Sequence, residues 1–180
     1  MENSRVSKKK STFIFILGGA SSGKSEFALK KCGTTKPRVF LATGQPLDSE
    51  MTKRIRAHRR SRGPGWKTLE IPVNVPEWLR REGPRYPVVV VDCLTLWLSN
   101  LHGEGLGTRQ ILSRIKEFSL AVRHVPGLVI AVSNELGLGL VPLDSTSRRF
   151  RDLSGEVNQL IAAAADEVYW VVSGIPIRLK

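Results

Sequence analysis

Phe13-Ile14-Phe15-Ile16-Leu17-Gly18-Gly19-Ala20-Ser21-Ser22-Gly23-Lys24-Ser25 decides how this chain is read. Five apolar residues run unbroken, as in a strand buried on both faces. They feed the spacing G-x-x-x-x-G-K-S, that of a phosphate-binding (Walker A) loop. Gly18 and Gly23 permit positive φ and let backbone approach an anion without a Cβ in the way. In such a loop the N–H groups and the N-terminus of the next helix point at a β-phosphate. Lys24 reaches the β- and γ-phosphates, and Ser25 ligates Mg²⁺. A chance glycine turn would lack the β-prone run before it and the helix-forming Glu26-Phe27-Ala28-Leu29-Lys30-Lys31 after it. The loop therefore assigns Gly18, Gly19, Ala20, Ser21, Ser22, Gly23, Lys24 and Ser25 to nucleotide binding.

Outward from the loop, strands alternate with helices. Strands are expected over 12–17, 38–42, 66–71, 88–91, 128–132 and 168–172. Gly174-Ile175-Pro176 then turns the chain into an edge hairpin over 177–180. Helices are expected from Ser22 to about Lys31, from an Asp48 cap to about Arg60, and over 73–81 and 93–101. Two more follow, from a Thr108 cap to about Arg123 and from Ser145 or Ser147 to about Ala165. The stripe Ile111, Ile115, Phe118, Val122 has helical spacing, and Val88-Val89-Val90-Val91 is the most β-prone run. His102 to Gly107, with three glycines, reads as a mobile loop. This alternation predicts an α/β fold of P-loop NTPase (RecA-like) type, a mainly parallel sheet flanked by helices. Ligands of such sheets sit at the carboxyl ends of the strands, so Leu17, Ala42, Asp92 and Val132 should face one cleft.

The 180 residues fit one domain over 12–180 behind a disordered basic arm at 1–11. No apolar run reaches the ~18 residues of a membrane span, and nothing resembles a signal peptide, so a cytoplasmic location is expected. Cys32 and Cys93 form no C-x-x-C pair and suggest no metal knuckle. The net charge of +12 favours anionic partners. Lys53, Arg54, Arg56, Arg59, Arg60 and Arg62 form one basic run and Arg148, Arg149 and Arg151 another; either also reads as a solvated helix face.

Asp92 closes the four-valine strand. A carboxylate there, beside a phosphate loop, suits an acid that organises Mg²⁺; the alternative is a strand-end Asp capping Thr95. No Asn-Lys-x-Asp guanine clamp is present, which argues against a Ras-like GTPase. Small-molecule kinases and nucleotidyl transferases remain.

The chain resembles the bifunctional adenosylcobinamide kinase/adenosylcobinamide-phosphate guanylyltransferase family. The residues that carry the likeness are the loop itself, Ala42-Thr43-Gly44, and Asp48-x-Glu50-Met51-x-x-Arg54-Ile55-x-x-His58. Further on are Ser133-Asn134-Glu135-Leu136-Gly137-Leu138-Gly139-Leu140-Val141-Pro142, Arg149-Phe150-Arg151-Asp152, Val157-Asn158-Gln159 and Val172-Ser173-Gly174-Ile175. The resemblance covers about residues 12–180. It implies phosphorylation of the aminopropanol hydroxyl of adenosylcobinamide with ATP or GTP. Transfer of GMP from GTP through a covalent histidine would follow, giving adenosylcobinamide-GDP on the way to adenosylcobalamin. By motif position that histidine is His58. The likeness further assigns Ala42, Thr43, Gly44, Arg59, Arg60, Ser61, Arg62, Glu70 and Asp92 to the nucleotide, Ser25 and Asp92 to Mg²⁺, and a homotrimer to the assembly. Members often carry Glu where this chain has Asp92, and some carry a second His where it has Ala57.

Imidazole suits the role given to His58, because double displacement needs an exposed, neutral nucleophile that also leaves well. Arg54 and Arg62, one turn either side, would disfavour ring protonation and hold phosphates. His102 and His124 are weaker candidates. Two alternatives stay open: a P-loop small-molecule kinase without guanylyl transfer, and a nucleotide-dependent nucleic-acid-binding protein. Against the latter, the basic runs lack aromatic stacking platforms, so no nucleic-acid partner is expected.

Overall fold

A computed structural model describes residues 11–180. The expected basic arm falls, but for Ser11, outside the described residues.

The strands are β1 (Thr12–Gly18), β2 (Arg38–Ala42), β3 (Trp66–Glu70), β4 (Val88–Asp92), β5 (Leu128–Asn134), β6 (Glu167–Val172) and β7 (Ile175–Arg178). The helices are α1 (Lys24–Lys31), α2 (Ser49–Ser61), α3 (Val75–Arg81), α4 (Leu94–Gly103), α5 (Thr108–Val122) and α6 (Ser145–Ala164). One sheet holds all seven strands in the order β3-β2-β4-β5-β1-β6-β7. Every pairing is parallel except β6 with β7, the edge hairpin.

The apolar runs of β1 and β4 are central because both faces of the sheet are covered. On one face Phe13, Phe15, Val89 and Val91 pack against α3, α4, α5 and α6 through Leu79, Trp97, Phe118 and Ile161. On the other, Ile14, Ile16, Val88 and Val90 meet Ala28 of α1 and Cys32 at its C-terminal cap. Each fully buried aliphatic side chain contributes about 1.5–3 kcal/mol. This double cover fixes the sheet rigidly beneath the loops at its carboxyl edge.

Several boundaries differ from the sequence reading. α1 starts at Lys24, not Ser22, because Ser21 (φ 55°) and Gly23 (φ 90°) lie outside helical geometry. β5 runs on to Asn134, since Gly18 pairs with that residue although Ser133 and Asn134 are polar. Gly107 rather than Thr108 precedes α5, and its N–H donates to Gln110 Oε1 at 2.9 Å. His102 and Gly103 belong to α4 rather than to the loop expected there. The edge strand begins at Ile175, two residues early, straight after the Ser173–Gly174 turn. Asp48 caps α2 as expected, its Oδ1 accepting from Met51 N at 2.7 Å.

Candidate functional site

In-register pairing sets the ends of five strands on one rim. Ala42 aligns with Glu70 and Asp92, Asp92 with Val132, Ile16 with Val132, and Gly18 with Asn134. The glycine loop rises from this rim between β1 and α1. Gly18 admits no Cβ, which would stand 2.7 Å from the Val171 carbonyl oxygen and collide with Ser22 Oγ. The β6–β7 turn abuts the loop: Gly174 N–H donates to Ser22 O at 2.9 Å, and a Cβ on Gly23 would meet Gly174 Cα at 3.2 Å. The buried Ser22 hydroxyl has no hydrogen-bond partner among the described residues. Lys24 is buried and donates to Gly19 O at 2.8 Å. Burial lowers its ammonium pKa, and the Asp92 charge opposes that shift.

Asp92 is the acid around which the cations gather. Its Oδ2 accepts from Ser25 Oγ at 2.9 Å, so the reading as a cap for Thr95 fails; Cys93 occupies the cap position of α4 instead. Burial pushes the Asp92 carboxyl above the ordinary aspartate value. The Ser25 hydrogen bond and the charges of His58, Lys24 and Arg62 pull it down. A hydroxyl beside a carboxylate is an oxygen donor set that fits Mg²⁺, which usually takes one or two protein ligands together with substrate phosphates. Among the described residues no cluster of three or more His, Cys, Asp or Glu converges elsewhere.

Helix α2 is laid over the rim by a short apolar contact. A Cβ on Gly44 would stand 3.1 Å from Leu96 Cδ1 and 3.9 Å from Ile55 Cδ1, so the glycine lets α2 and α4 close on the β2–α2 loop. The far end of α2 is pinned by Arg62, whose guanidinium stacks 3.9 Å over the Phe40 ring. Burial lowers the Arg62 pKa, Asp92 opposes, and Arg59 adds to the lowering. His58 is exposed, and its charge acts on Asp92.

The structure thus gathers Lys24, Ser25, His58, Arg62 and Asp92, while Arg59 is exposed and acts on Arg62. Arg54 turns to Glu50 at 3.1 Å rather than toward Asp92. Arg60 is exposed, and the side chain of Ser61 lies outside the described residues. Glu70 stands exposed on the edge strand, two strands from Asp92. The Thr43 hydroxyl is fully buried, accepting from Cys93 N at 2.9 Å and donating to Cys93 O at 2.7 Å, so its side chain braces the rim.

Two supporting residues carry no signal in the sequence. Asn100 Nδ2 donates to Thr43 O (2.7 Å) and Pro72 O (2.9 Å), tying α4 to two rim loops. Thr95 Oγ1 accepts from Asn134 N at 2.9 Å. Asn158, within a quoted motif, donates to Asn134 O at 3.1 Å.

The family model described as "Cobinamide kinase / cobinamide phosphate guanyltransferase" matches residues 14–179. The chain belongs to this family. It is 36% identical to the bifunctional adenosylcobalamin biosynthesis protein CobU of Escherichia coli over 179 residues, 93% of this chain and 99% of that protein. It is 42% identical to the bifunctional adenosylcobalamin biosynthesis protein CobP of Pseudomonas aeruginosa over 167 residues, 92% and 95% of the two chains. Among solved structures it is similar to the flagellar accessory protein FlaH of Methanocaldococcus jannaschii (TM-score 0.54, 12% identity, 96% of this chain and 79% of that one). It is also similar to a KaiC-like protein of Pyrococcus horikoshii (TM-score 0.53, 14% identity, 89% and 71%). The structural likenesses show the fold alone, that of the RecA-like P-loop NTPases.

Proposed function

We propose that this member of the cobinamide kinase/cobinamide phosphate guanyltransferase family carries both activities in one domain over residues 12–180. The observation that carries the reading is the Asp92 carboxylate, which accepts from Ser25 of the glycine loop and also feels the charges of His58 and Arg62 from α2 and its end. A triphosphate lies in Gly18–Ser25, its phosphates on the loop N–H groups, Lys24 and the Ser22 hydroxyl. Ser25 and Asp92 would hold Mg²⁺, which would supply charge neutralisation at the phosphates. The site expects GTP or ATP for phosphoryl transfer and GTP for guanylyl transfer.

In the first reaction the aminopropanol oxygen of adenosylcobinamide attacks the γ-phosphorus. The bond from that phosphorus to the β,γ-bridging oxygen breaks, and the nucleoside diphosphate leaves. In the second, an imidazole nitrogen of His58 attacks the α-phosphorus of GTP and pyrophosphate departs. A phosphate oxygen of adenosylcobinamide phosphate then displaces the imidazole, leaving adenosylcobinamide-GDP. Arg59 and Arg62 offset the charge that builds on the α-phosphate; Arg60, Ala42, Thr43, Gly44 and Glu70 complete the nucleotide's surroundings. The enzyme works as a homo-oligomer, a trimer, in the cytoplasm.

GTP labelled at the α-phosphate tests this reading. A phosphoramidate adduct, labile in acid and stable in base, is expected on the wild-type protein. It should vanish in His58→Ala while phosphorylation of adenosylcobinamide persists. Lys24→Ala should lower both reactions by at least roughly a hundredfold, the scale of losing one preorganised charge contact. Wild-type protein that takes no label would remove the guanylyltransferase half.

A further inference from the structure

At the opposite end of the sheet, β2, β3 and β4 begin in register at Arg38, Trp66 and Val88. A cavity of about 530 Å³ opens there, lined by Lys36, Pro37, Arg38, Gly65, Lys67 and Tyr86. Half of these residues are cations, and none is an acid. Their placement is fixed by the fold. Arg38 donates from Nη1 to Gly33 O (3.0 Å) and from Nε to Gly65 O (3.2 Å), and its guanidinium lies 4.7 Å over the Trp66 ring. The Lys67 ammonium stands 5.8 Å from the Tyr86 ring centre. A Cβ on Gly65 would sit 3.5 Å from Lys36 Nζ and 3.4 Å from Arg38 Nη2, so two cationic heads converge on one spot beside a glycine at φ +96°.

Some basic side chains elsewhere on the chain are answered by carboxylates: Arg54 by Glu50, Arg85 by Glu82, Arg114 by Glu77 and Glu117, and Arg123 by Asp166. Among the described residues Lys36, Arg38 and Lys67 have no acidic partner. Like charges brought this close repel, and a shared anion removes that repulsion. The guanidinium offers a fixed donor fork and the two ammonium groups movable donors, a set matched to phosphate oxygens. The volume falls in the range of small-ligand sites and is too small to track a nucleic-acid strand.

We propose that this cavity is a second phosphate-binding site, separate from the glycine loop, that takes the di- or triphosphate group of a small ligand with the Tyr86 ring as its apolar wall. Calorimetric titration with inorganic tripolyphosphate tests it. Wild-type protein should show two binding events, one for each end of the sheet. In Lys36→Glu/Lys67→Glu the second event should weaken at least about tenfold, as the loss of charge-assisted donors requires. The α-labelling of the protein by GTP should stay unchanged in that variant. If the double reversal melts below the wild-type protein, Lys36→Gln/Lys67→Gln carries the same comparison. A parallel titration with GDP identifies the source: tighter second-site binding than tripolyphosphate marks a nucleoside phosphate, and equal binding marks the phosphate chain alone. A single event in wild type, or a second event that survives both variants, overturns the proposal. So does a short RNA that binds here when tripolyphosphate does not.

Discussion

Burial disfavours the charged form of Asp92, and only its neighbours oppose this. The linkage has a definite sign. A carboxyl whose folded-state pKa lies above its unfolded value makes the folded form bind more protons between the two values. Stability is therefore lost as pH rises from the ordinary aspartate range through the raised value, and it stays lower above that. Asp92→Asn keeps an acceptor for Ser25 and removes the buried charge. It should melt higher than wild type at neutral pH and the two should converge in acid, which differential scanning calorimetry across pH will read. The same variant should lose Mg²⁺-dependent turnover, and the acid limb of the wild-type rate profile should sit above that of an ordinary carboxylate. The thiols follow a parallel argument. Burial pushes both Cys32 and Cys93 up to about 12, which leaves almost no thiolate at neutral pH. Neither should react with a disulfide reagent in native protein, and both should react once the chain is unfolded in denaturant. Labelling of either thiol in the native state would contradict the burial described for it.

The element that matters most to the proposed chemistry is α2, because it carries the proposed nucleophile His58 yet stands on few apolar contacts. Ile55 is its foothold against Gly44 and Leu96. Ile55→Ala should cost only ~1 kcal/mol in urea unfolding, since the side chain is half buried. Guanylyl labelling of His58 should fall at least about tenfold while phosphorylation of adenosylcobinamide falls little, because the glycine loop does not stand on that contact. Equal losses in the two reactions would show that α2 is needed for both. This dependence is where the sequence stops being readable. Local signals located the elements well: the buried runs of β1 and β4, the Asp48 cap, and the residues flanking the glycine loop. They placed His58 on a helix but could not say what that helix rests on. Gly44, Ile55 and Leu96 are far apart in the chain and carry no periodicity that links them. Asn100 and Thr95 escaped for the same reason. Each is an ordinary polar residue in an apolar helix until its partner loop is known. The polar Ser133 and Asn134 disguise the end of β5, and pairing with Leu17 and Gly18 keeps them in the sheet.

At the scale of the whole molecule, the sheet separates two electrostatic regions. One rim gathers Lys24, His58 and Arg62 around a single acid; the other gathers Lys36, Arg38 and Lys67 around none. The helical flanks hold paired charges such as Arg114 with Glu77 beside exposed cations such as Arg56 and Arg149. At the carboxyl rim lies a closing contact of the fold, from Gly174 in the β6–β7 turn to Ser22 in the glycine loop. These residues stand near opposite ends of the sequence, and joining them costs loop-closure entropy that local contacts do not. The phosphate cradle is therefore expected to be among the last parts of the chain to take shape, with nucleotide as a witness to completed folding rather than a template for it. In refolding experiments GTP should leave the folding rate unchanged and slow unfolding in proportion to its binding, the kinetic mark of a site assembled after the barrier.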